Sequence, residues 1–194
     1  MFPAILLVLC VVLYRVATGL LIHSGAAMWL SNFAPLAAVA LCCAAYLPRR
    51  YKFSLPLVTL FVSDAILNAT YHAPFFTWHV LCRYAALALV CAMGSALQNR
   101  ASLKTMLPAS LLGSTLFYLI TNAFSWATDP GYVKNFAGLL QALTVGLPQY
   151  SATPTWMFFR NSLVSDLAFT ALFVLLMRAE RPSARYRVTL ARAT

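Results

Sequence analysis

Long apolar runs, separated by short stretches that hold nearly all of the charge, constrain this chain more than any motif does. Such runs cover residues 2–22, 33–47, 53–69, 106–126 and 155–177, and another begins within 71–84 and ends at 97. A helix crossing a bilayer needs roughly 20 apolar residues. With 62% hydrophobic and 9% charged residues, the composition does not fit a soluble domain. The expected fold is an all-α membrane protein of six transmembrane helices, residues 1–178, with a basic cytoplasmic tail over 179–194. The run from Phe2 has no basic residue before Arg15, so a retained first helix is expected and not a cleaved signal peptide.

The formal charge is +10, a balance that often marks nucleic-acid binding. Here Arg49, Arg50, Lys52, Arg100, Lys104, Arg178, Arg181, Arg185, Arg187 and Arg192 all fall on one side of a six-pass chain. Lys134 lies in an opposite loop. Topology therefore accounts for the charge, with the lipid bilayer as the partner and no nucleic acid expected. The positive-inside rule makes both termini cytoplasmic and turns 23–32, 70–76 and 127–154 outward. Within the last of these loops, 133–147 is amphipathic enough for a short interfacial or re-entrant helix.

Residues 71–84, Tyr-His-Ala-Pro-Phe-Phe-Thr-Trp-His-Val-Leu-Cys-Arg-Tyr, gather two histidines, a thiol, an arginine and aromatic rings at the outer end of a span. On a helix, Cys82 shares a face with Phe75, Trp78, His79, Ala85, Ala86 and Leu89. Such a face offers a thiol to a flat, bulky ligand, and a helix N-terminus beside Arg83 favours thiolate. A thiolate is a good axial ligand for a soft or borderline metal. The alternative is that Cys82 is a small buried hydrophobe, the expectation for Cys10, Cys42, Cys43 and Cys91. His72 and His79 are either ligands or residues at the headgroup level.

Asp64, Arg83, Arg160 and Asp166 are charges inside apolar runs, as is Arg15, which is costly there unless it snorkels or finds a partner. They either fix helix packing as ion pairs or line a ligand path. Ala88, Ala92 and Ala96, spaced four apart, are expected to let the fourth span pack closely on a neighbour. No P-loop, GxSxG or HExxH is present. Phe61-Val62-Ser63-Asp64 echoes Leu163-Val164-Ser165-Asp166, as in transporters built from repeats, which suggests a three-plus-three arrangement.

Six spans in about 190 residues, an outward pocket and cytoplasmic basic loops resemble the S components of energy-coupling factor transporters. More narrowly, Asn32-Phe33-Ala34-Pro35, Val62-Ser63-Asp64 and Phe159-Arg160-Asn161-Ser162-Leu163-Val164-Ser165-Asp166 resemble the BtuM family of solitary S-type cobalamin transporters. That resemblance implies a bacterial inner-membrane protein that binds cobalamin, with Cys82 ligating its cobalt and decyanation of cyanocobalamin as a secondary activity. The resemblance carries a role to Cys82 alone; Asp64, His79, Trp78, Tyr84, Arg160 and Asn32 are the chain's own candidates for holding the corrin rim. The first span lacks the AxxxA-type patch by which S components dock to an energising subunit, so no dedicated ATPase module is expected. Rival expectations are an S component for another vitamin and a haem- or metal-binding membrane enzyme using His72 or His79.

Overall fold

The apolar runs become helices in a computed structural model, which describes residues 2–25 and 28–193. Among these residues there are seven α-helices and no strand: α1 (Phe2–His23), α2 (Leu36–Tyr46), α3 (Ser54–Tyr71), α4 (Trp78–Ala96), α5 (Leu103–Thr128), α6 (Phe136–Leu143) and α7 (Thr155–Ala193). The segments Ile5–His23, Ser54–Tyr71, Trp78–Ala96, Leu103–Thr128 and Thr155–Ala179 are each long and apolar enough to cross a membrane. The protein is thus a helical, multi-pass membrane protein with five candidate spans among the described residues.

The run 33–47, expected to be a sixth full span, differs. Its helix α2 has eleven residues, about 16 Å of rise against a hydrocarbon core of about 30 Å. Pro35 sets the start, because it cannot donate to the preceding turn. Just before it, Asn32 adopts a left-handed backbone (φ 58°) that turns the chain into the bundle. Ala37 through Ala45 are all buried, so α2 is the axis on which α4, α5 and α7 pack. Alanines and cysteines suit that place, since small side chains admit neighbours on every side.

Side chains fix the helix starts. Thr77 accepts a hydrogen bond from the Val80 amide at the head of α4, and Ser102 and Thr105 form a capping box at the head of α5. Contacts sort the loops into two ends. The His23 and Tyr71 rings lie 4.7 Å apart and those of His79 and Phe124 5.4 Å apart, at the end that also holds 28–35 and 129–154. At the other end Lys52 donates to Gln98.

The close approach to α4 is not made by the expected alanine stripe. Ala92 and Ala96 are exposed, whereas Ala86, Leu87, Val90, Cys91 and Gly94 are buried. A Cβ at position 94 would overlap the Leu41 carbonyl oxygen, so glycine is what lets α2 and α4 meet backbone to backbone. Spacing alone could not say which side of α4 faces inward. The helix expected within 133–147 is α6, with Phe136 and Leu140 outward and Gly138 and Ala142 buried.

Candidate functional site: a polar cavity behind paired arginines

Charged side chains inside a bundle must find partners, and these do so in two separate groups. In the first, Asp64 on α3 takes Arg15 of α1 on one oxygen (2.7 Å) and Arg83 of α4 on the other (3.4 Å). Arg15 also donates to the Ser63 hydroxyl. The partner that Arg15 needs is therefore the Ser-Asp step two helices away. Arg83 is the looser member: its side chain is 35% exposed, against 13% for Arg15, and its Nε is buried without a hydrogen-bond partner.

In the second group, Asp166 on α7 reaches the head of α2. One oxygen accepts the Ala38 amide at 2.9 Å and the other accepts the Ser114 hydroxyl of α5 at 2.7 Å. Pro35 supplies no side-chain cap, so a carboxylate 128 residues away does the work of an N-cap. The same helix holds the chain before α2. Asn161 donates to the carbonyls of Trp29 (2.8 Å) and Ser31 (2.9 Å), and Ser162 donates to that of Asn32 (3.0 Å). The segments 32–35 and 159–166 are thus one interlocked unit.

Between the groups lies a cavity of about 250 Å³. Arg15, Arg83, Asn32, Ser114, Asn122 and Asp166 give it polar walls; Phe117, Tyr118, Phe158 and Phe159 give it apolar ones. Tyr118 stacks on Phe159 with centroids 4.5 Å apart and donates its hydroxyl to the Leu143 carbonyl, tying the α6 segment over the cavity. A second cavity of about 230 Å³ is lined by His79, Cys82, Arg83, Thr121, Phe124 and Ser125. Arg83, Thr121 and Ser125 line both.

The expected site residues separate accordingly. Cys82 and His79 line the second cavity, and the Cys82 thiol faces the Ile120 carbonyl at 3.9 Å. Asn32 lines the central cavity, while Asp64 stands behind it. Tyr84 packs against the hydrophobic core and lines neither cavity. Trp78 is 77% exposed at the head of α4, and Phe75, expected on the helical face of Cys82, precedes the helix. Arg160 donates to Asn161 and lies over the Trp156 ring (5.7 Å), away from both cavities. Asn161 and Ser114, which hold the loop and the cap, follow from no spacing rule.

A family model of unknown function, DUF6580, matches residues 1–187. The chain belongs to this family. The match takes in both polar groups, both cavities and most of α7. No curated protein and no solved structure matches the chain.

Outside the spans, Asp129 organises the loop after α5. Its carboxylate accepts the Gly131 amide at 2.8 Å, and this bond holds its pKa below the ordinary value, with Lys134 and the Tyr150 hydroxyl adding to the effect. Lys134 closes the loop by donating to the carbonyls of Trp126 and Asp129.

Proposed function

We propose that this protein is a solute-binding transport protein of the S-component type that takes cobalamin from the outer side of a bacterial inner membrane. The chain passes six times, α2 and the turns before it making the second pass, with both termini cytoplasmic. The observation that supports the reading is the position of Cys82. Its thiol lines a cavity near one end of the bundle, next to a larger polar cavity that shares the Arg83 wall. Cys82 as thiolate is the cobalt ligand, with His79 beside it, and thiolate donation loosens a cyanide on the opposite face of the corrin.

A corrinoid is several times larger than either cavity. Binding therefore has the corrin lie across the mouth, against the exposed Trp78 and Phe76, and part the outer ends of α4 and α5. The test is copurified or added cyanocobalamin, read by visible spectroscopy on wild type and Cys82→Ala. Loss of the thiolate-ligated spectrum with retained fold supports the role. An unchanged spectrum removes Cys82 from it, and no corrinoid binding removes the cobalamin reading.

The size of the central cavity favours a second reading, in which the solute is a smaller vitamin and a shared ATPase module supplies the energy. Capture of such a module by the purified protein supports it. A stable complex with none of the modules offered counts against it.

A further inference from the structure

We infer that the central cavity is a site for a small organic anion, held by Arg15 and Arg83. This deepens the smaller-solute reading and is independent of the corrinoid one.

Charge is the first observation. Two guanidinium groups line the cavity, and the carboxylate they share, Asp64, is not part of its wall. The carboxylate that is in the wall, Asp166, is 2% exposed and forms no ion pair among the described residues. Its oxygens are taken by the Ala38 amide and the Ser114 hydroxyl, at the positive end of α2. The arginine pair is therefore left one negative charge short, inside a bundle where an uncompensated cation is costly.

Unused hydrogen-bonding capacity is the second. Arg83 touches Asp64 only at 3.4 Å and keeps its side chain 35% exposed on the cavity wall. A guanidinium presents donors in a planar fork that matches two oxygens of a carboxylate. An entering carboxylate meets that fork without displacing Arg15 from its 2.7 Å contact.

Size and wall chemistry set the rest of the ligand. An apolar cavity of about 150 Å³ holds benzene. At about 250 Å³, this one has room for a single ring and a carboxylate. Tyr118 and Phe159 offer a stacked aromatic surface to the ring. The class is a small aromatic or similarly compact carboxylate.

The experiment uses the full chain in lipid nanodiscs, with benzoate, benzamide and benzylammonium as probes and calorimetric titration as readout. These share a ring and differ in the sign of the polar group. Benzoate is expected to bind at least about tenfold more tightly than benzamide, because a charged partner strengthens each hydrogen bond, and benzylammonium is expected not to bind. Arg83→Gln is expected to lose about tenfold or more of the benzoate affinity, Arg83→Lys to keep part of it, and Arg100→Gln, outside both cavities, to keep all of it. Equal affinity for benzamide overturns the anion class while leaving a small-solute cavity in place. No benzoate binding to wild type, or full affinity in a folded Arg83→Gln, overturns the site.

Discussion

Asp64 and Asp166 end the same tripeptide, Val-Ser-Asp, each in the middle of a long apolar helix, yet they do different work. The serines behave alike: Ser63 donates back to the Thr59 and Leu60 carbonyls and Ser165 to that of Ser162. The aspartates diverge because their neighbours do. Asp64 looks toward α1 and α4 and meets two cations, both on the wall of the central cavity. Asp166 looks toward the head of α2 and meets a backbone amide and a hydroxyl. One carboxylate balances charge; the other completes a helix. An internal echo thus locates two expensive groups without saying what either is for.

The difference is open to direct tests by substitution. Asp166→Ala leaves two buried donors unmet, at about 1–3 kcal/mol each, so a loss of about 4 kcal/mol is expected in thermal or denaturant unfolding of the purified protein. Asp166→Asn keeps an acceptor for the Ala38 amide and should recover more than half of that loss. At Asp64 the pattern should invert. Asp64→Ala strands two guanidiniums, for about 3 kcal/mol once the exposure of Arg83 is allowed for, and Asp64→Asn should stay close to the alanine variant, since charge is what is missing. If the two asparagine variants behave alike, the division of labour is wrong.

Smaller effects grade the Asp64 group itself. Arg15→Gln should cost about 2 kcal/mol. Arg83→Gln should cost under about 1 kcal/mol, because its pair is long and partly solvated. Asp129, a carboxylate outside the spans, gives the smallest effect. Its folded pKa lies below its unfolded value of 3.8, so its contribution is complete above that value and disappears only as pH falls through the lower, folded one. Amide exchange at Gly131 should therefore hold steady from neutral pH down to the ordinary carboxylate range and rise below it, and Asp129→Asn should abolish the rise.

Much of the fold was legible because lipid leaves little choice. Apolar runs at bilayer length became helices, and the amphipathic loop segment became α6. The run 33–47 misled because composition does not show where a helix begins; Pro35 and the left-handed Asn32 do. The alanine stripe on α4 misled because small residues suit either a close contact or an exposed face. Of the site, the charges could be found but not paired. Asp64 lies 49 residues from Arg15 and 19 from Arg83 in sequence, and no periodicity links positions on three helices. Residues 32–35 and 159–166 stand out in the sequence only as two separate short motifs, with nothing to link them. They are explained once Asn161 and Ser162 are seen to hold the carbonyls of the chain before Pro35.

The cap on α2 also bears on the order in which the protein can be completed. α2 leaves the ribosome well before α7, is too short to span lipid alone, and begins with amides that hydrocarbon cannot satisfy. The group that satisfies the Ala38 amide is on α7, which is synthesised after α2 to α6. Until translation has passed Asp166, the centre of the bundle lacks its native cap. The centre of the bundle is finished only when α7 joins it, and a chain cut short before α7 leaves that centre without its cap.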